Sequence, residues 1–253
     1  MRIRFWWTRG SLATPGPTTL RYGGNTSCVE VRTADGTLIV LDCGTGAHGL
    51  GRALAASGER PVRGHLLITH AHWDHIQGFP FFALLFAPGN EWDIYAPGRL
   101  GPAIEATLAG QMQYTYFPIT LAQCGATIRF HDQAETTFGL GSVRVVGQYL
   151  NHPALALGYR VEADDAVVVY AVDHEPHGRD PAGPLPRAAG GAAVHREDQR
   201  HVQFLAGADL VIHDAQYTAA EYPQKMNWGP HPGGVGGGLR PRRRDPASGL
   251  VSS

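Results

Sequence analysis

The sequence predicts an α/β layered fold, with mixed sheets covered by helices. Three observations predict it. Short β-type runs recur along the chain, helical periodicities fall between only some of them, and 43% apolar content over 253 residues is enough to bury a large core. An all-β sandwich would leave the helical stretches unexplained, and a bundle would leave the strands. One large domain is the expected organisation, and no internal repeat is visible.

The predicted strands run, in order, over Cys28 to Arg32, Thr37 to Leu41, His65 to Thr69, Trp92 to Ala96, Thr127 to His131, Val143 to Tyr149, Ala156 to Val161, Val167 to Val172 and Leu210 to Ile212. Each is a short run of the apolar and β-branched residues that suit a pleated, half-buried surface. Helices are predicted over about Gly46 to Ala56, Ile76 to Phe86, Pro102 to Gln113 and Arg196 to Leu205, where apolar residues fall near i, i+3, i+4 spacing. Between Glu175 and Gly191 the chain turns rich in Pro, Gly and Ala and reads as a mobile surface loop or insertion. After Trp228, residues 229–253 hold seven Gly, four Pro and four Arg. Such a segment cannot offset its ordering entropy by burial and reads as a disordered tail.

Composition narrows the function. The formal net charge is -1 and only 17% of residues are charged, so no global basic field argues for non-specific nucleic-acid binding. No apolar run reaches the roughly 18 residues needed to span a bilayer, and Met1 to Trp7 is too short for a signal-peptide core, so a cytoplasmic location is expected. Cys28, Cys43 and Cys124 form an odd, widely spaced set that fits neither a disulfide framework nor a zinc knuckle, and reduced thiols are expected.

Residues 70 to 75 read His-Ala-His-Trp-Asp-His, directly after the apolar run His65 to Thr69. In extended chain alternate side chains share a side, so His70 and His72 can grip one ion. Where the strand yields to a turn the period changes, and Asp74 and His75 can face the same pocket. Packing imidazoles so closely costs desolvation and mutual repulsion unless a cation replaces the protons. Two further groups stand at strand ends: Asn151-His152-Pro153 after Val143 to Tyr149, and Asp173-His174-Glu175 after Val167 to Val172. Rigid backbone there fixes ligand bearings while the next loop leaves room for substrate, although either group alone also occurs as an ordinary turn.

Taken together the chain resembles the metallo-β-lactamase fold, within its phosphodiesterase branch of tRNA 3'-end processing endonucleases and phosphoribosyl cyclic phosphodiesterases. Over residues 5 to 228 the carriers are Gly10-Ser11, Gly23 to Cys28, Leu41 to Gly46, Thr69 to Gly78, Asn151-His152-Pro153, Tyr170 to Asp173 and Ile212 to Tyr217. The resemblance implies a four-layer αββα sandwich, incomplete at its C-terminus, with a hydrolase domain over 1–228. It implies one metal on His70, His72 and His152, a second on Asp74 and His75, and Asp173 bridging them. It implies leaving-group protonation by His213 with Asp214, Asp74 as a group that orients the attacking water or acts as its base, and Asp42 as a buried support. One element departs from the pattern: the second metal normally takes a further His from a C-terminal strand after a Trp-Gly-His segment and a helix. Here Trp228-Gly229 leads into Pro230-His231-Pro232 and an Arg- and Gly-rich text, as if read out of frame. His231, His174 and His177 are the substitutes at hand.

The expected activity is therefore hydrolysis of small or cyclic phosphodiesters, with a water acidified between two divalent ions as nucleophile. Zinc is the first choice, with manganese and iron as alternatives. Nucleic acid is the less favoured substrate because no Lys/Arg stripe stands outside the tail. No membrane partner is expected, and a homodimer is left open. The rival readings are a thioester or lactam hydrolase of the same fold, and a crippled remnant that lacks its last metal ligand.

Overall fold

The computed structural model of the chain describes residues 1–98, 104–177, 196–214, Gln224 and the strand Leu250–Ser252. Twelve strands and four α-helices lie within them. The strands form two six-stranded sheets. The first runs β1 (Arg2–Trp7), β2 (Cys28–Arg32), β3 (Leu38–Leu41), β4 (Arg63–Leu67), β5 (Glu91–Pro97) and β6 (Thr127–Gln133). Its β1–β2–β3 portion is antiparallel and its β3–β4–β5–β6 portion parallel. The second runs β7 (Thr137–Leu140), β8 (Val143–Leu150), β9 (Ala156–Ala163), β10 (Ala166–Ala171), β11 (Leu210–His213) and β12 (Leu250–Ser252), with parallel pairing from β10 to β12.

Strand periodicity sorts the side chains into layers. In β3, Ile39 and Leu41 enter the core between the sheets, while Leu38 and Val40 face outward. In β10, Val168 and Tyr170 point in and Val169 and Ala171 point out. The inner core joins Val29, Val31, Ile39, Leu41 and Leu67 to Val145, Leu157, Tyr159 and Val161. On the outer face of the first sheet, α1 (Ala47–Ala56) contributes Leu50 and Leu54 and α3 (Ile104–Gln111) contributes Ile104 and Leu108. On the outer face of the second, Phe204 of α4 (Arg196–Leu205) covers Val169 and Ala171. The layers are α, β, β, α, as the sequence predicts.

Three differences from the sequence reading have physical causes. The helix expected over Ile76 to Phe86 is instead a single turn, α2 (Trp73–Ile76), followed by 3-10 turns at Phe79–Phe81 and Ala83–Leu85. Pro80 explains the break, because its ring would clash with the carbonyl four residues back, at Ile76, and it has no N–H to bond there. Strands β1 and β7 were not predicted: β1 is an edge strand whose first residues alternate between exposed and half-buried, and β7 carries Gly139. Within the segment read as a tail, Leu250–Ser252 pairs with β11. Trp228, Gly229, His231 and the Arg240 to Arg244 group lie outside the described residues, as does the Pro- and Gly-rich stretch after His177 up to residue 195. Among the described residues no helix is long and apolar enough to cross a membrane.

Trp92 is the largest fully buried side chain, edge-on to Phe82 at 4.8 Å, and its Nε1 has no hydrogen-bond partner. Replacing it by Ala should cost about 3–5 kcal/mol in urea unfolding through the cavity it leaves. Trp92→Phe should cost clearly less, because the contact with Phe82 is kept and no hydrogen bond is lost. Equal losses for the two substitutions would contradict this account of the core.

Candidate metal centre

The ends of β3, β4, β8, β10 and β11 meet at one edge of the two sheets, and the loop after each carries a polar side chain. Asp42 follows β3, the segment Thr69 to His75 follows β4, His152 follows β8, Asp173 follows β10 and Asp214 follows β11. Backbone bonds tie these loops together. Cys43 N–H donates to the His75 carbonyl (2.8 Å), Gly78 N–H to the Cys43 carbonyl (2.8 Å), and Leu157 N–H to the Thr69 carbonyl (2.9 Å). Gly78 is required where it stands, because a Cβ there would collide with the Gly44 carbonyl.

Asp42 is the hub of the support. Fully buried, it accepts bonds from Thr69 N–H (2.8 Å), the Thr69 hydroxyl (3.0 Å) and the Tyr170 hydroxyl (2.8 Å), and stands 2.7 Å from His75 Nδ1. A carboxylate oxygen facing His75 Nδ1 accepts its N–H, which leaves Nε2 as the ring atom turned to the pocket. Asp42 and Asp173 both hold left-handed backbone, at φ 57° each, a conformation costly for a residue with a Cβ and one that persists where surrounding contacts enforce it.

Two donor groups result. His70, His72, His152 and Asp173 each bring one ligand atom, all within 4.8 Å of one another, and Asp74, His75 and Asp173 do the same. Asp173 belongs to both: its Oδ2 is 3.4 Å from His70 Nε2 and 3.4 Å from His75 Nε2. His72 Nδ1 and His152 Nε2 stand 3.0 Å apart, and Asp74 Oδ2 is 3.5 Å from His75 Nε2 while accepting the Ser11 N–H at 2.7 Å. The buried Nε2 of His70 makes no hydrogen bond despite the nearby carboxylate. Ring nitrogens and carboxylate oxygens converging on a common point, one of them buried without a partner, fit a divalent cation.

Electrostatics agree with that fit. Burial, helped by the charge of His75, pushes His70 down to about 3, so its imidazole is neutral with a lone pair to give. Burial would also lower His75, but the Asp42 and Asp173 carboxylates together outweigh it and hold His75 well above the usual histidine range. That preference for positive charge at His75 is what a cation at its Nε2 would satisfy. Burial raises the Asp214 carboxyl and the Asp173 charge raises it further, whereas the imidazoles of His70 and His75 outweigh burial at Asp173 and hold it low. Asp214 is the protonated member of this pair, and its carboxyl accepts the Asp173 N–H.

Of the residues singled out in the sequence, His70, His72, Asp74, His75, His152 and Asp173 come together. His213 belongs to neither donor group. Its Nδ1 lies 3.1 Å from the Asp214 carbonyl and its Nε2 lies 3.4 Å from Nε2 of His201 on α4. Of the substitute ligands, His174 stacks on His201 at 3.7 Å and receives the Asn151 N–H, and His177 stands 3.1 Å from Asp198, so neither joins the donor groups. His231 lies outside the described residues. Sequence reasoning missed Thr69 and Tyr170 as partners of Asp42, and His201. Each sits in an ordinary strand or helix pattern, and only the fold brings it to the site.

Asp42→Asn tests the support. An amide there turns donor hydrogens toward groups that already donate, so at least one of Thr69 N–H and His75 Nδ1–H loses its acceptor. Zinc affinity, measured by competition with a chromophoric chelator, should fall about 10- to 100-fold. An unchanged affinity would remove Asp42 from the site.

Ribonuclease BN of Cronobacter sakazakii is 30% identical to this chain over 132 residues, 51% of the chain and 40% of that protein. Ribonuclease Z of Haloarcula marismortui is 24% identical over 256 residues, 86% of the chain and 75% of that protein. The crystal structure of human tRNase Z, short form, superposes with a TM-score of 0.58 at 20% identity, covering 91% of this chain and 83% of that one. Against several of the ribonucleases the chain spans only 31% to 56% of their length. The family described as "Beta-lactamase superfamily domain" matches residues 37–236, well over half of the sequence, and the chain belongs to that family.

Proposed function

We propose that the chain is a metal-dependent phosphodiesterase acting on small or cyclic phosphodiesters. The observation that carries this reading is the shared Asp173 oxygen, 3.4 Å from a nitrogen of each donor group, which supports two neighbouring cation positions around one carboxylate. His70, His72, His152 and Asp173 would hold one divalent ion, and Asp74, His75 and Asp173 a second, with zinc the first candidate for imidazole-rich ligation. When bound, such ions polarise a phosphoryl oxygen and lower the pKa of a coordinated water toward about 7.

The protein's own groups do the rest. Asp74, held by the Ser11 N–H, orients the attacking water and accepts its proton. Asp42 keeps His75 in the tautomer whose Nε2 is free to ligate. His213, half-buried beside His201 and positioned by the Asp214 carbonyl, protonates the departing oxygen. Relatives named as ribonucleases support the phosphodiester as the bond attacked. The size of the substrate rests on charge: between Arg63 and Arg129 the only basic side chain is Arg99, too little to track a long polyanion past the motif.

One observation favours a second reading. The second donor group has three members among the described residues, against four in the first, so a protein that binds one ion and hydrolyses slowly or not at all fits the same geometry. Metal content separates the two: two equivalents per chain support the phosphodiesterase, and one supports the remnant.

His72→Ala should lower bound zinc and reduce hydrolysis of bis(p-nitrophenyl) phosphate by more than about 100-fold. Hydrolysis surviving in that variant would sink the proposal. Removing metal with a chelator should also lower the melting temperature, since an ion bound only by the folded chain stabilises it.

A further inference from the structure

Trp73 stands between His72 and Asp74, one residue from a member of each donor group, and its side chain is 72% exposed. An indole left in water beside a polar centre gains nothing from the fold. It is one of several exposed aromatic rings in this region. The Gln111 side chain of α3 donates to the Ile76 carbonyl of α2 (3.2 Å), and Phe117 packs edge-on against Phe81 at 5.4 Å. These contacts seat the turn that follows α3 against α2 and the 3-10 turn after it. That turn carries Tyr114 and Tyr116, 78% and 74% exposed, and Phe81 itself is 55% exposed. The chain between Arg63 and Arg129, which carries all of these rings, has Arg99 as its single Lys or Arg.

We propose that Trp73, backed by the tyrosine-bearing turn Gln113–Tyr116, is a stacking platform for the nucleobase of a phosphodiester held at the metal centre. The proposal rests on the phosphodiesterase reading and names its substrate class, a small nucleoside-bearing phosphodiester. Consecutive Cα atoms are about 3.8 Å apart, so the indole is tethered directly beside ligands of both groups. A nucleoside sugar spaces its base from the phosphate on a similar scale to the reach of an indole from its Cα. Stacking on aromatic faces tolerates every base and needs no cation, whereas binding a long nucleic acid needs a basic groove. The rings therefore select the base of one nucleotide and not an extended strand. An aliphatic patch would serve self-association equally well, but tyrosines, with a polar edge and a flat face, suit a ligand that enters from water and leaves again.

The test compares two esters with the same leaving group: thymidine 5'-p-nitrophenyl phosphate, which carries a base, and methyl p-nitrophenyl phosphate, which does not. In the full-length zinc-loaded protein kcat/KM should favour the thymidine ester about 10-fold or more. Trp73→Ala should collapse that ratio toward one, and Trp73→Phe should restore part of it. Because the ratio is internal to each variant, altered metal loading cancels. Quenching of tryptophan fluorescence by adenosine 5'-monophosphate supplies a readout independent of turnover, and it should be present in the wild type and lost in Trp73→Phe. Hydrolysis of both esters with a ratio unchanged by Trp73→Ala overturns the platform and leaves the phosphodiesterase intact. Quenching that depends on Trp73 without hydrolysis of either ester upholds the platform and overturns the phosphodiesterase. If Trp73→Ala converts a dimer to a monomer and the ratio stays fixed, the surface is a contact between copies and the platform is overturned.

Discussion

The site depends on one buried carboxylate. Asp42 ends β3 of the first sheet, yet its acceptors are used by Thr69 in the motif loop, His75 on α2 and Tyr170 on β10 of the second sheet. A charge removed from water is expensive unless donors surround it, and here they come from three separate parts of the fold. The carboxylate is therefore stable only when the two sheets and the motif loop are in register with one another. The same bonds orient His75, so assembling the core and aiming a ligand are a single event. The left-handed backbone of Asp42 belongs to the same constraint, because it turns the chain so that the carboxylate points back between the sheets.

Asp173 is the counterpart on the second sheet. It also holds left-handed backbone, and its N–H is bound to the Asp214 carboxyl. With Asp214 protonated and Asp173 ionised, the buried member of the pair is neutral and a single negative charge faces the imidazoles. Like charges so close cannot both persist without water. The result is one anionic oxygen within 4 Å of His70, His75 and His152. Asp42 thus fixes the motif from behind, and Asp173 closes it from across the sheet interface.

Much of this was legible in the sequence because it is local. His70, His72, Asp74 and His75 lie within six residues, and strands such as Cys28–Arg32 and Val143–Leu150 announce themselves by composition. His152 and Asp173 could be proposed because each follows a recognisable strand. The four-layer arrangement came from the family resemblance, and alternation in runs such as Val40-Leu41, one outward and one inward, agrees with it. What escaped is non-local or depends on backbone detail. Tyr170 reads as one more residue of a buried strand until β10 is laid across from β3. The Ile76 to Phe86 stretch has helical spacing, and the spacing says nothing of how Gly78 must pack on Gly44 or of where Pro80 forbids a bond. In β1 the alternation Arg2-Ile3-Arg4-Phe5 is real but lasts only four residues before Trp6 and Trp7 interrupt it.

The two donor groups differ in kind as well as in number. The first offers three imidazoles and a carboxylate, while the second offers one imidazole and two carboxylates among the described residues. Imidazole-rich sets favour zinc, and oxygen-rich sets favour harder ions held less tightly. Where the resemblance calls for a His delivered by a C-terminal strand, the chain places β12 beside β11, with Ser252 in register with His213. Among the described residues an ion at the second position would rely on Asp74, His75 and the carboxylate it shares with the first. Because the Asp173 oxygen stands near members of both groups, an ion held by the first would compete for the oxygen that the second would need. Were both positions to bind ions, they would be coupled unequally, the first with four donors of its own and the second leaning on an oxygen it shares.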